Sequence, residues 1–378
     1  MALPFGYDAS YIGAFGELVA HSQTPIISLS FPYNINAAYV TSTTANGGTV
    51  TQANSQAVLQ TSAASNGSAQ VESIFAARYS PGQGQVVRFT AVYSAGRANS
   101  QQEVGAGDAN DGFFFGYQGA SFGVFKRRNG TDLFVPQTAW IGDGLAFDPT
   151  KGNVYQIRYQ WLGYGVIKFY VEDPQNGILR LAHAIQYPNA NVIPSIFNPS
   201  LPLHAKVVNS GNTTNLTLSS GSLAIYSEGP RDESGARFSV GNRKTGVTTE
   251  ANIFTLQNKA TFQGIPNRAR IHLDSIGSAI SGGADAQYRM VLNATLGGSP
   301  SFTDISTNTS VAAFDVAGTT VTGGTEWRRG PSTGNFQLSE DINALQMRLN
   351  PGDTMTFTAQ SFAAAVAPNL SISWREEL

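Results

Sequence analysis

The sequence predicts an all-β protein with two jelly-roll-like β-sandwich domains, preceded by an extended N-terminal arm. Alternating apolar and polar runs between residues 78 and 173 are separated by Gly, Asn and Asp, as in consecutive antiparallel strands. After residue 238, strand-length segments recur about every 10–15 residues with Gly, Pro and Asn between them. Only 13% of the 378 residues are charged, which indicates a polar surface built from Ser, Thr, Asn, Gln and Gly.

The N-terminal segment is predicted to be an arm covering residues 1–34. It mixes Gly and Pro with apolar residues, which is not a helical pattern, and its one strand is predicted at residues 25–31. A strand of the first sandwich is the alternative for this segment. The first sandwich is predicted to span residues 35–229, and the turn signals Asn46-Gly47-Gly48 and Asn66-Gly67 separate its earliest strands.

The central part of the first domain carries the strongest strand signals. Phe113-Phe114-Phe115 lies between two glycines, and three consecutive aromatic residues cannot share one face of a strand. We therefore expect both faces of that strand to be covered. Residues 154–161 and 166–171 are separated by a turn that contains Gly163 and Gly165, and this spacing predicts a hairpin.

The second half of the chain begins after a charged, turn-like segment. Residues 230–237, with the sequence PRDESGAR, are predicted to be the linker between the domains. Residues 238–378 are predicted to form the smaller C-terminal β-sandwich.

Two resemblances follow from particular segments. The strand YQIRYQW, a glycine turn and the run VIKFYVEDPQNG resemble a hairpin of the concanavalin-like (laminin-G-like) jelly roll over about residues 70–228. Near the C-terminus, Leu349-Asn350-Pro351-Gly352-Asp353-Thr354-Met355-Thr356-Phe357-Thr358-Ala359 and Ser371-Ile372-Ser373-Trp374-Arg375-Glu376 resemble a strand pair and closing strand of tailed-phage virion proteins. This second likeness covers about the last 140 residues and carries no catalytic residue.

The resemblances imply a non-enzymatic virion structural protein of the capsid-decoration or spike type, displayed on the bacteriophage particle surface. Its implied partners are further copies of itself, as a homotrimer, other virion structural proteins and a host-surface glycan. A tail fibre or receptor-binding protein used in host attachment is the first alternative. A secreted carbohydrate-active enzyme is the second.

Composition argues against several other classes. The net charge of −2, without a long basic run, argues against a nucleic-acid partner. No stretch approaches the roughly 18 apolar residues of a membrane span, so no membrane insertion is expected. The first 22 residues lack the basic region and apolar core of a secretory signal. Cysteine is absent from the sequence, which excludes disulfides and thiolate chemistry.

Candidate catalytic residues are not found, and the cofactor prediction is none, with calcium as an alternative. The four histidines are far apart in sequence and match no metal-ligand spacing. Asp108, Asn110 and Asp111 could supply oxygen ligands to calcium from a rim loop, although their spacing departs from the EF-hand order. A hairpin turn is the alternative for these three residues. Adjacent acids such as Glu172-Asp173 are read as turn residues rather than as a glycosidase pair.

Exposed aromatic residues are the better indication of function. Tyr117, Trp140, Tyr164 and Tyr187 lie in or beside segments that contain Gly, Pro or Asn. An aromatic ring stacks on the apolar face of a sugar with little ordering, so these four residues are the predicted glycan-binding set. Packing against the sandwich core or a subunit contact is the alternative for each ring. The basic run Lys126-Arg127-Arg128 is interpreted as solvated turn residues.

Overall fold

The computed structural model describes residues 22–230, 235–332 and 337–377. The chain divides into two compact units, Met1–Asp232 and Glu233–Leu378. This division falls inside the predicted linker at residues 230–237, but the first strand of the second unit already begins at Ala236. No helix in the described part of the chain has the length and apolar character needed to cross a membrane.

The first unit is built from antiparallel strands and one short 3-10 turn. In chain order the strands are β1 Gln23–Ser30, β2 Val40–Ala45, β3 Thr49–Ala53, β4 Gln56–Gln60, β5 Ser68–Ala77, β6 Gln85–Tyr93, β7 Ser100–Gly107, β8 Gly112–Gln118, β9 Ser121–Arg128, β10 Thr131–Pro136, β11 Asn153–Tyr159, β12 Ile167–Glu172, β13 Leu179–Ile185, β14 Leu201–Asn209, β15 Thr217–Ser220 and β16 Ser222–Glu228. The 3-10 turn is Gln137–Ala139.

These strands form two sheets, as the predicted sandwich requires. The first sheet has the order β13-β12-β11-β6-β15-β4-β3, with β16 pairing both β6 and β1. The second has the order β10-β9-β8-β7-β14-β5-β2. The predicted hairpin is confirmed, because β11 and β12 pair in an antiparallel register from Tyr155↔Val171 to Tyr159↔Ile167. A two-residue turn, Asn129-Gly130, joins β9 to β10, and both residues have positive φ (47° and 74°).

The core of the first unit lies between its two sheets. Strand alternation sends Phe113 and Phe115 of β8 into this core, whereas Phe114 points to the other face of the sheet. All three rings are buried, so the prediction that both faces are covered there is confirmed. On the outer face the Phe114 ring lies over Gly112. A Cβ atom added at Gly112 would stand 2.3 Å from the Cζ atom of Phe114.

The described part of the predicted arm is an integral strand of the first unit. Strand β1 pairs with β16 from Gln23↔Glu228 to Ser30↔Ser222. Ile27, Leu29 and Phe31 join the core. Because period-two alternation places these apolar residues on one face, burial against the sandwich is favoured over a free arm. This corrects the predicted boundary in favour of the stated alternative; residues 1–21 lie outside the described residues.

The second unit is also all β in its described residues apart from the 3-10 turn Asn343–Leu345. Its strands are β17 Ala236–Arg243, β18 Ala251–Asn258, β19 Thr261–Phe262, β20 Ile265–Pro266, β21 Arg270–Ser281, β22 Ala286–Leu292, β23 Thr295–Gly298, β24 Thr303–Asp304, β25 Ala312–Asp315, β26 Gly318–Thr322, β27 Thr325–Ser332, β28 Gln337–Asp341, β29 Arg348–Leu349, β30 Thr354–Ser361 and β31 Ala367–Glu377.

Two larger sheets enclose the second core. One has the order β17-β31-β21-β28, with β29 pairing β21, and the other has the order β24-β25-β18-β30-β22-β27. The segment that resembles a virion strand pair does not form a hairpin. Its turn at Pro351-Gly352 leads from β29 in the first sheet to β30 in the second. The closing strand β31 lies between β17 and β21, and its Trp374 is fully buried in the core.

Candidate functional site

Two of the four predicted glycan-binding residues, Tyr117 and Trp140, pack in or against the core. The Tyr117 ring is almost fully buried and lies 5.1 Å, centroid to centroid, from the Phe122 ring. Trp140 stacks on Phe147 at 6.2 Å, and its Nε1 donates a hydrogen bond to the carbonyl of Val135. Both rings bury apolar area against the sandwich. Because this burial is favourable, a ring beside a glycine turn packs on the core where it can reach it. Tyr117 therefore presents little surface to a glycan, whereas Trp140 stays partly exposed.

The other two predicted residues, Tyr164 and Tyr187, are brought together. Tyr164 lies in the loop between β11 and β12 (residues 160–166), and Tyr187 lies in the loop between β13 and β14 (residues 186–200). Their ring centroids are 6.4 Å apart. The Tyr164 hydroxyl donates to the carbonyl of Val192 at 3.1 Å, and the Tyr187 hydroxyl donates to that of Ile193 at 2.8 Å. The first bond ties the two loops together, and the second lies within loop 186–200, where the Tyr187 ring is 5% exposed and belongs to the core.

Two cations complete this cluster, and sequence reasoning missed them. Lys126 Nζ lies 5.1 Å from the centroid of the Tyr187 ring and donates to the carbonyl of Ser195. The Arg128 guanidinium lies 5.8 Å from the centroid of the Phe197 ring, and its Nε donates to the carbonyl of Pro194 at 2.9 Å. Both interactions are of the cation–π kind. We call Lys126, Arg128, Tyr164, Tyr187 and Phe197 the rim.

The strand periodicity of β9 explains how the cations reach the rim. Phe122 and Val124 face the core, and Lys126 and Arg128 continue on the same face at the end of the strand. Arg127 points to the opposite face. The prediction that these three residues form a solvated turn is therefore wrong, because they end a strand and the turn follows at Asn129. The two-residue alternation that begins at Phe122 and Val124 is the sequence signal that could have placed Lys126 and Arg128 on one face of the strand and Arg127 on the other.

Apolar side chains of the rim and of loop 186–200 are exposed to solvent. Phe197 is 59% exposed, Val192 is 91% exposed and Tyr164 is 39% exposed. Exposed apolar groups grouped beside fixed polar atoms are typical of binding surfaces. Next to Tyr164 in the chain, Gly165 and Val166 line a cavity of about 380 Å³ together with Arg158, Lys168 and Glu228.

The predicted calcium ligands have another role. Asp108 Oδ1 accepts hydrogen bonds from the backbone N–H groups of Asn110 and Asp111, which closes a turn. The Asp111 carboxylate accepts from the N–H of Phe197 at 2.7 Å and of Asn198 at 3.2 Å. It thereby anchors the 186–200 loop. Within the described residues, no group of three or more His, Asp or Glu is placed to hold a metal ion.

A second cavity, of about 330 Å³, is lined by two aspartates. Asp143 and Asp173 both line it, with Arg180 beside them. The Asp173 carboxylate accepts hydrogen bonds from the N–H of Gln175, from Arg180 Nε and from Asn176 Nδ2. Chiefly through the bond from Gln175, the pKa of Asp173 is lowered, so this group stays ionised at neutral pH.

A buried charge network lies on the outer face of the second sheet. Arg127 makes two hydrogen bonds to Glu103, at 3.0 and 2.7 Å, and two to Asp132, at 2.7 and 3.0 Å. His204 Nε2 lies 2.9 Å from Glu103 Oε1. Burial alone would raise the pKa of Glu103, but His204 and then Arg127 outweigh it and lower that pKa to about 2. The network is a structural element of the sheet, because Glu103 is 0% exposed.

Comparisons with known proteins identify no family. No family model matches the chain. A search of curated proteins also finds no match.

Similar solved structures are found, at low identity. A glycosyl hydrolase family protein from Mycobacterium fortuitum is 11% identical, with a TM-score of 0.37, over 53% of this chain and 99% of that one. An immunostimulatory antigen and pseudo beta-1,3-glucanase of Mycobacterium tuberculosis is 12% identical, with a TM-score of 0.38, over 55% and 99%. The carbohydrate recognition domain of Emp46p, potassium-bound, is 12% identical, with a TM-score of 0.35, over 54% and 97%.

These findings correct the predicted role as a virion structural protein of the decoration, spike or fibre type. The similar structures are described as a glycosyl hydrolase family protein, a pseudo-glucanase and a carbohydrate recognition domain, and nothing in them links this chain to a phage particle. At these identities and TM-scores the likeness transfers no activity to this chain. The homotrimer, the virion partners and the particle-surface location were inferred from the phage resemblance alone, and no comparison tests them.

Proposed function

We propose that this protein binds a carbohydrate through the rim of its first β-sandwich. The observation that carries the proposal is the exposed Tyr164 ring, which packs beside the buried Tyr187 and whose hydroxyl donates to the loop that also presents the exposed Val192 and Phe197. This arrangement offers aromatic faces together with fixed polar atoms. Sugars need both, since their C–H faces are apolar and their hydroxyls form hydrogen bonds.

The rim is organised before any ligand arrives. Loop 186–200 is fixed by the Asp111 carboxylate, Lys126 and Arg128, which all bond to the backbone of residues 194–197. A pre-ordered loop loses little conformational entropy on binding, so more of the contact energy is retained as affinity. Tyr164 and Phe197 are the exposed aromatic rings of the rim, and both can contact a sugar.

The test is a glycan array followed by titration calorimetry with the glycans that bind. We expect Tyr164→Ala to weaken binding by about tenfold or more, as truncation of an aromatic anchor does. Tyr33→Ala is the matched control, because Tyr33 is 91% exposed and lies in the loop between β1 and β2. Equal affinities of Tyr164→Ala and wild type, or a loss in Tyr33→Ala alone, would show that the rim is not the binding site.

Glycoside hydrolysis is the second candidate, and the cavity shared by Asp143 and Asp173 favours it. Glycosidases use two carboxyl groups on either side of the scissile bond, and an ionised Asp173 suits the nucleophile or base. The experiment is reducing-sugar release from polysaccharides by the purified chain. Activity that is present in the purified wild-type protein and lost in the Asp143→Asn variant would support this function. Activity equal in both would assign it to a contaminant or to another site.

A further inference from the structure

We infer that the carbohydrate bound at the rim is anionic, with a carboxylate or sulfate group placed between Lys126 and Arg128. This inference rests on the proposed function and specifies its ligand class. The two cations stand two residues apart on the same face of β9, at the end where the strand meets loop 186–200. Both therefore point into the region occupied by the tyrosine pair.

The charges of both cations are left without a counter-ion. Lys126 and Arg128 donate to backbone carbonyls and lie over aromatic rings, and neither forms an ion pair with any residue in the described ranges. Partly buried cations are normally paired, since desolvation penalises an isolated charge. Carbonyl dipoles and ring faces compensate for only part of that penalty. An anionic ligand would supply the missing charge.

The acidic side chain that contacts the rim loop, Asp111, already has hydrogen-bond partners in that loop. Asp111 supports the rim loop from beneath, and its oxygens accept hydrogen bonds from the backbone N–H groups of Phe197 and Asn198. Tyr187 is neutral at physiological pH, because burial raises the pKa of its phenol. Thus the charges of the described rim residues sum to a positive value.

The direction of the Lys126 pKa shift agrees with an anion-binding site. Burial of its ammonium group, and then the charge of Arg128, lower the pKa of Lys126. A neighbouring carboxylate would have the opposite effect, and none contributes. The two like charges repel each other in the unliganded protein. A ligand carboxylate or sulfate between them would relieve this repulsion and accept charge-assisted hydrogen bonds.

The adjoining cavity carries further basic residues for contact with a longer polymer. Arg158 and Lys168 face each other across β11 and β12, and both line the cavity that begins at Gly165. Arg158 forms an ion pair with Glu228, whereas Lys168 has no ion pair among the described residues. An acidic polysaccharide that extends from Tyr164 into this cavity would therefore find a third unpaired cation.

The experiment compares three polysaccharides of similar length by titration calorimetry: dextran as the neutral probe, polygalacturonate as the carboxylate probe and dextran sulfate as the sulfate probe. We expect at least one acidic polymer to bind about tenfold or more tightly than dextran, the magnitude of one charge-assisted contact. Lys126→Gln and Arg128→Gln should each remove most of this preference. Lys151→Gln, at an exposed lysine outside the rim, should retain it.

The outcomes separate this inference from the proposed function. If dextran binds as tightly as the acidic polymers and depends on Tyr164, the rim binds sugar but the anionic inference is overturned. If the acidic polymers bind but both glutamine variants bind equally well, attraction is nonspecific and the inference is also overturned. If no polymer binds, and the glycan array finds no ligand dependent on Tyr164, the proposed function itself fails. Binding by only one acidic polymer supports the inference and identifies the group.

Discussion

Replacing Arg127 by leucine should be among the most destabilising single changes in the first unit. The guanidinium holds both oxygens of Glu103 and both oxygens of Asp132, and it also donates to the carbonyl of Asp108 at 3.0 Å. Its side chain is only 6% exposed, and that of Glu103 is 0% exposed. Leucine fills a similar volume but supplies no donor. Glu103 would keep only Gln101 and His204 as partners.

The expected cost follows from the burial of the remaining carboxylate. Breaking a buried ion pair by removing one partner costs about 3–5 kcal/mol, because the other charge is left desolvated and uncompensated. A domain has a free energy of unfolding of about 5–15 kcal/mol, so such a loss is a large fraction of the total. The exposed pair Arg158–Glu228, with side chains 45% and 28% exposed, should contribute less than about 1 kcal/mol.

The assay is urea unfolding at pH 7, followed by hydrogen exchange of the amides in β7, β8 and β9. Hydrogen exchange assigns the loss to the second sheet of the first unit, which matters in a chain with two units. Arg158→Leu is the matched control. If Arg127→Leu costs no more than Arg158→Leu, the network does not stabilise the sheet in the way its burial indicates. The double variant Glu103→Leu with Arg127→Leu should recover part of the loss, because no buried charge remains.

Two further predictions concern the same sheet. Because the pKa of Glu103 is lowered from its ordinary value of 4.5 to about 2 in the folded protein, its contribution of about 3 kcal/mol is present above pH 4.5 and is lost as pH falls toward 2. Urea unfolding at pH 6, 4 and 3 should show this loss, and Glu103→Gln should show a smaller pH dependence; parallel curves would contradict the assignment. Gly112→Ala should destabilise the first unit by more than about 1 kcal/mol, since the new Cβ would stand 2.3 Å from the Phe114 ring and 2.7 Å from the Ala106 carbonyl. Gly152→Ala is the control, because a Cβ atom added at Gly152 would stand 3.9 Å from its nearest neighbour. Equal melting temperatures of the two variants would refute the argument.

Local pattern was sufficient to predict the fold class and several of its elements. Alternation and turn residues identify the β11–β12 hairpin and the paired two-sheet organisation, and three consecutive phenylalanines require cover on both faces of β8. These conclusions depend on residues close together in the chain. The candidate site was predicted only in part. Tyr164 is exposed at the site and Tyr187 packs beside it in the core, whereas Tyr117 lies in the core and Trp140 packs against it.

The sequence by itself determined that this chain is a β protein with aromatic loops and little charge. Only the tertiary structure decided which loops meet and which charges are buried. Strand β14 lies between β5 and β7, far from both in sequence, and this pairing brings His204 to Glu103. In the same way, the rim combines β9 with two distant loops. Side-chain direction repeats every two residues and can be read locally, but the neighbour of each strand is chosen by packing of the whole domain.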